Sequence, residues 1–200
     1  MKEGIYFLAT PVSQRIGIWI IAVVLTIGTL GSFLAMALSV QNNSTDTAAQ
    51  TKAYNDYLDQ QKAASQINAA NSEALVGYSA GIFDTASVTA LKVETLVEGT
   101  GDAIKATDSI NASYFGWTSD GIIFDSSKKK NTDDAPATFS LSNVIGGWTE
   151  GLTGVKVGSV VRLTIPATKA YGARESGTIP ANSPLEFIVE IHKIDNSGAK

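Results

Sequence analysis

The 200-residue sequence predicts an α+β domain, an antiparallel β-sheet wrapped around one short α-helix, preceded by a transmembrane helix and a helical stalk. Three observations carry this expectation. The N-terminal forty residues hold one long uncharged apolar run. A polar stretch free of Gly and Pro follows it. From about residue 91, short apolar segments alternate with turn residues, with a single helical candidate among them.

The apolar run, Ile16 to Val40, is 25 consecutive residues without a charge. As a helix it would reach about 37 Å at ~1.5 Å per residue, enough to cross a ~30 Å hydrocarbon core with some tilt. Lys2 and Arg15 precede it, and the following flank, Gln41-Asn42-Asn43-Ser44-Thr45-Asp46, carries no base. The positive-inside rule then puts residues 1–15 in the cytoplasm and the C-terminal domain on the outer side of the cell membrane, behind a single-pass signal anchor. A cleaved signal peptide is the rival reading, because Ala35-Met36-Ala37 fits the A-x-A pattern. Its apolar stretch of about 19 residues exceeds the ~7–15 of a signal h-region, and both readings export the domain. A buried core helix would need the polar face that this run lacks. Gly31, Ala35 and Ser39 form a small-xxx-small stripe, the pattern through which an anchor pairs weakly with a second copy.

Residues 41–75 read as a polar helical stalk. Ala, Gln, Asn, Asp, Ser and Thr dominate, Ser44, Thr45 or Asp46 is available as a cap, and Tyr54, Tyr57, Leu58 and Ile67 give only a weak apolar stripe. Such a segment is expected to be mostly solvated, with pairing to another helix or disorder as alternatives. Residues 76–200 form the C-terminal domain. It opens with an extension, Gly77 to Ala90, whose Tyr78, Ile82, Phe83 and Val88 suit packing onto the rest of the domain. The strand candidates are Leu91–Val97, Ser109–Trp117, Ile122–Phe124, Thr138–Leu141, Val160–Pro166 and Leu185–Ile194, with Asp120-Gly121 a strong hairpin signal. Trp148–Leu152 suits the one short helix.

Composition excludes several kinds of chemistry. The balance is mildly acidic, 15 basic against 19 acidic residues, which leaves no electrostatic footprint for nucleic acid. Cysteine is absent, so disulfides, thiolate nucleophiles and Cys-based zinc sites do not arise. The single histidine, His192, lies in a strand candidate between Ile191 and Lys193 and reads as a strand-face or edge residue rather than a catalytic base. One histidine and no cysteine do not supply a typical transition-metal site, and the glycines match neither GxxxxGK[ST] nor GxGxxG. Lys128-Lys129-Lys130 and Asp133-Asp134 read as solvated loop charge.

What remains is a set of aromatic and aliphatic residues that would ordinarily count as core: Tyr114, Phe124, Val144, Ile145, Trp148, Tyr171, Ile179 and Phe187. Their local contexts are Ser113-Tyr114-Phe115-Gly116, Phe124-Asp125-Ser126-Ser127, Val144-Ile145-Gly146-Gly147-Trp148, Ala170-Tyr171-Gly172, Ile179-Pro180 and Leu185-Glu186-Phe187. In this order they resemble the FKBP-type peptidyl-prolyl cis/trans isomerases, including bacterial membrane-anchored members, from roughly Val93 to Ile194. The resemblance implies an FKBP-like fold and an apolar cup. Trp148 would form the floor, Val144 and Ile145 the lining, Ile179 one side and Phe187 the back. Tyr114, Phe124, Asp125 and Tyr171 would stand at the reacting amide, Tyr171 donating to a substrate carbonyl. It implies no cofactor and no metal, and Xaa-Pro segments of exported polypeptides as partners. A non-catalytic module that holds a Pro-containing segment is the competing class. Ala137 ahead of Phe139, the short Ser142-Asn143 linker and the short loop from Arg174 to Thr178 depart from the family pattern and imply a smaller or more open rim.

Such a site suits the reaction. Rotation about an Xaa-Pro bond faces a barrier of ~18–20 kcal/mol set by amide resonance, and no bond breaks, so neither nucleophile nor general acid is needed. An apolar seat favours the twisted amide, which has lost charge separation, and each ~1.4 kcal/mol of preference gives tenfold in rate.

Overall fold

The computed structural model describes residues 47–195. The predicted span 16–40, the Ala35-Met36-Ala37 motif and the Gly31/Ala35/Ser39 stripe lie outside the described residues. Among those described, no helix is long and apolar enough to cross a membrane.

Helix α1, Thr47–Asn71, occupies most of the predicted stalk. Its good helix formers and i,i+4 pairs such as Lys52–Asp56 (2.7 Å) support it, and Tyr54, Leu58 and Ile67 remain exposed. Solvation is not maintained to its end. Asn68 and Ser72 are buried, because the last turn lies against the strand that carries Asp125. The backbone just beyond is tied down by Glu73 N to Lys128 O (3.1 Å) and Lys130 N to Asn71 O (2.8 Å).

The remaining elements are β1 Lys92–Val97, β2 Ser109–Trp117, β3 Ile123–Ser126, β4 Ala137–Ser140, α2 Gly146–Leu152, β5 Val160–Ile165 and β6 Leu185–Ile194. They build a six-stranded antiparallel sheet in the order β1-β5-β6-β2-β3, with β4 also paired to β2. β2 is its central rail: β6 runs along one side, while β4 pairs with Ser109–Ala112 and β3 with Phe115–Trp117.

The two-residue period of β2 divides its side chains between two faces. Phe115 and Trp117 stack on each other (centroids 5.1 Å apart) in a cluster with Leu75, Val160 and Ile188. The extension before β1 covers this cluster with Ala74, Tyr78, Ala80 and Phe83, and Trp117 Nε1 donates to Gly81 O at 3.0 Å. The other face takes Ile110, Ala112, Tyr114 and Gly116 toward α2. There α2 sits close on β5 because Gly147 and Gly151 leave room. A Cβ on Gly147 would lie 2.4 Å from Ile165 Cγ2, and one on Gly151 3.0 Å from Leu163 Cδ2. That close seat brings Trp148 down onto the sheet.

Candidate functional site

Trp148 (α2), Phe187 (β6), Tyr114 (β2), Phe124 (β3) and Phe139 (β4) form a continuous aromatic chain. Tyr114 meets Phe139 and Trp148 edge-on at 5.2 and 5.6 Å, Phe139 meets Trp148 at 5.2 Å, Trp148 meets Phe187 at 5.4 Å, and Phe187 meets Phe124 at 5.5 Å. Perpendicular rings place a positive edge on a negative face, so each contact fixes its neighbours' orientation as well as burying area. Gly116 makes the last pair possible. A Cβ there would stand 2.4 Å from Phe187 Cε1 and 2.6 Å from Phe124 Cζ, so only Gly lets both rings lie on β2. Trp148 Nε1 is buried with no acceptor among the described residues, a rare condition for an indole donor.

One corner of the aromatic chain is polar. Tyr114 Oη donates to Asp125 Oδ2 at 2.5 Å. Asp125 Oδ1 accepts from its neighbour Ser126 N (2.8 Å), from Asn68 Nδ2 (2.9 Å) and from Lys129 Nζ (3.1 Å). Lys129 Nζ also donates to Asn68 Oδ1 (2.7 Å) and Ser72 Oγ (2.9 Å), and Asn68 Nδ2 reaches Phe124 O at 3.3 Å. The carboxylate is thereby fixed from both oxygens. Burial, reinforced by the Asp125 charge and hydrogen bond, pushes the Tyr114 hydroxyl well above its ordinary range. Burial and the same charge raise Tyr171 to about 12, against a hydrogen bond with Ser176 that lowers it. Both phenols therefore stay protonated at neutral pH, and Asp125 acts electrostatically on each.

The other predicted residues frame this set. Val144 and Ile145 are half-buried on the approach to α2, and Ile145 O accepts from Trp148 N at 2.9 Å. Tyr171 follows the turn after β5. Ile179 is buried and paired with Ser176 through Ser176 N to Ile179 O (3.0 Å) and Ile179 N to Ser176 O (2.9 Å). The short loop between them is not open on all sides: Gly177 packs against Ser65 of α1, whose Oγ would be 2.5 Å from an added Cβ.

Three participants are absent from the sequence-predicted set. Phe139 is legible as a strand aromatic and proves to touch both Tyr114 and Trp148. Asn68 and Lys129 carry no sequence signal, since their role depends on partners far along the chain. The loop charges are also not simply solvated. Lys128 pairs with Glu73 (3.2 Å), Lys129 with Asp125 (3.1 Å), and Asp134 accepts from Ser127 Oγ (2.6 Å) and from Ser113 Oγ. The chain spends them on closing the turn after β3. His192 is exposed on β6 with Nε2 2.7 Å from Ser113 Oγ. This is not nucleophile geometry: Ser113 is fully buried, and Asp134 bonds the serine instead of orienting the imidazole.

Residues 101–192 match the family described as FKBP-type peptidyl-prolyl cis-trans isomerase. The chain is 39% identical over 150 residues to an FKBP-type peptidyl-prolyl cis-trans isomerase, FkpA, of Aeromonas hydrophila, covering 75% of this chain and 52% of that protein. To FkpA of Escherichia coli K12 it is 41% identical over 105 residues, 52% of this chain and 38% of that protein. The crystal structure of FkpA from Escherichia coli aligns at 31% identity over 84% of this chain and 70% of that chain, with a TM-score of 0.48. The chain thus spans about half or less of the length of these curated relatives, 52% and 38%.

Proposed function

We propose, for a chain that belongs to the FKBP-type peptidyl-prolyl cis-trans isomerase family, that its domain catalyses cis/trans isomerisation of Xaa-Pro bonds in polypeptides. The observation that carries the reading is the convergence of Trp148, Phe187, Phe124 and Phe139 on a corner holding Tyr114, Asp125 and Tyr171. The rings supply an apolar seat for a pyrrolidine, where an amide that has lost its resonance dipole is favoured over the planar one. Tyr171, protonated at neutral pH, donates to a substrate carbonyl. Asp125, fixed by Tyr114, Asn68 and Lys129, sets the field at the rotating amide without reorganising. Val144, Ile145 and Ile179 border the seat. No step transfers a proton or forms a bond, so no cofactor is required.

The domain acts outside the cytoplasm on exported polypeptides, held at the membrane by residues 16–40. Support for this placement is the 25-residue uncharged run with Lys2 and Arg15 before it. Protease added to intact cells after opening the outer compartment should digest a C-terminal epitope while sparing one at the N-terminus; the reverse pattern would overturn the placement.

The activity is tested by isomerisation of a blocked Xaa-Pro tetrapeptide with the full chain in detergent, beside Phe124→Ala and Asp125→Ala. Acceleration that each substitution lowers by about tenfold or more, with folding intact, is the expected result. A folded chain that accelerates nothing would leave a module that binds proline-containing segments.

A further inference from the structure

Helix α1 lies outside the segment that matches the family, yet it forms part of the site's surroundings. It is clamped to both lips. On one side Asn68 and Ser72 engage Asp125, Phe124 O and Lys129; on the other Ser65 packs against Gly177. Between these clamps lies a partly open pocket of about 350 Å³, at the small end of ligand-sized clefts. Gln66 and Ala69 of α1 line it together with Asp120 and Ile122 of the turn between β2 and β3 and with Pro180. Phe124 belongs both to this pocket and to the aromatic seat, so the two are adjacent and share a wall residue.

We propose that this pocket receives an apolar side chain flanking the proline of an extended polypeptide substrate, which makes α1 a specificity-determining wall. The proposal rests on the isomerase reading for why a polypeptide is present. A proline in a protein never arrives alone: the chain continues on both sides at ~3.3 Å per residue, and a stretch leaving the seat on the Phe124 side would enter this pocket. Ile122, Phe124, Pro180 and Ala69 suit an aliphatic group. Asp120 stands at the edge with its carboxylate held by Thr118 Oγ1 (2.6 Å) and Ile122 N (3.1 Å). The Thr118 hydrogen bond keeps it below the usual carboxylate range, so it stays ionised and repels acidic neighbours in the substrate.

The test compares a blocked Xaa-Pro tetrapeptide with a longer peptide that extends it by aliphatic residues on both sides. Binding by fluorescence anisotropy and isomerisation kcat/KM are both measured on the full chain in detergent. Ala69→Trp fills the pocket from α1, and Ile122→Glu charges it from the turn between β2 and β3, so the two variants do not share a route to misfolding; urea unfolding checks each. The wild type should bind the longer peptide about tenfold tighter than the tetrapeptide, and both variants should lose that advantage. Replacing the aliphatic flanks by Glu should also abolish it. A wild type with no advantage, or variants that retain it, would overturn the proposal. If the wild type accelerates neither peptide but keeps the length advantage, the isomerase reading falls and the pocket stands.

Discussion

Replacing Gly116 by Ala tests the aromatic seat most sharply, because the seat and a plain strand predict opposite signs. In an ordinary strand interior, Gly costs roughly 0.5–1 kcal/mol relative to Ala, so Ala should stabilise. Here the added Cβ would stand 2.4 Å from Phe187 Cε1 and 2.6 Å from Phe124 Cζ. Carbon atoms pack best at about 3.5–4.0 Å, so both rings must retreat by roughly 1 Å or more. Phe187 has little freedom to do so, being 4% exposed and locked edge-on to Trp148 at 5.4 Å. Overpacking of this kind costs about 1–3 kcal/mol. Offset by the backbone gain, a net loss of about 0–2.5 kcal/mol is expected in the unfolding free energy from urea denaturation. Phe124, half-buried, has more freedom to yield, and displacing a ring of the proposed seat should lower kcat/KM on the tetrapeptide by about tenfold or more. Gly81→Ala is the control: nothing lies within 4 Å of its Cβ, and stability should stay within about 0.5 kcal/mol. A Gly116→Ala protein that is as stable as wild type or more so, with unchanged activity, would refute the placement of both rings.

Asn68→Ala removes a buried amide that donates to Asp125 and accepts from Lys129; a hydrogen bond to a charged group contributes about 1.5–3 kcal/mol. Hydrogen exchange should therefore show the last turn of α1 losing protection by about that amount, and unchanged protection would contradict the clamp. Alkaline stability should be set partly by Tyr171. Its folded pKa, about 12, lies above the unfolded value near 10, so its contribution is complete below about pH 10 and is lost as pH rises toward 12. Urea midpoints across that range should fall less steeply in Tyr171→Phe; an identical slope would remove Tyr171 as a contributor. Ser113→Ala leaves Asp134 with one fewer donor in a buried corner and should cost about 1–3 kcal/mol in urea unfolding, whereas His192→Ala, on the exposed side, should cost less.

The sequence is most legible where the chain repeats one physical demand. β2 is expected over Ser109–Trp117 and is found there, because its alternating residues must satisfy two cores and the Asp120-Gly121 turn (Gly121 at φ 80°) closes it. β3 moves from Ile122–Phe124 to Ile123–Ser126. Ile122 belongs to the turn, with its carbonyl accepting from Thr118 N at 3.1 Å, whereas the polar Asp125 and Ser126 pair with Gly116 and Phe115. Polarity alone marks those two as loop. Helix α2 begins at Gly146 rather than Trp148 because its glycines, poor helix formers alone, are what allow contact with Ile165 and Leu163.

The candidate site divides along the same line. Its aromatic members stand in recognisable local contexts, so position in the chain is enough to select them. The groups that hold Asp125 do not: Asn68 lies 57 residues before it, in a helix whose composition says only that it is polar. Nothing about Asn68 distinguishes it from the other asparagines of that segment until the fold buries it. Burial is what gives it meaning, because an amide at 7% exposure must bond on both sides, and here its partners are Phe124 O, Asp125 and Lys129. Since both clamps of α1 fall on residues framing the seat, a change in how α1 docks must move Asp125 or the Gly177 loop. On the isomerase reading, activity and the docking of α1 should therefore be coupled, and Asn68→Ala should lower kcat/KM for the tetrapeptide as well as loosen the helix. A helix that loosens while kcat/KM holds would show that Tyr114 and Lys129 suffice to position the carboxylate.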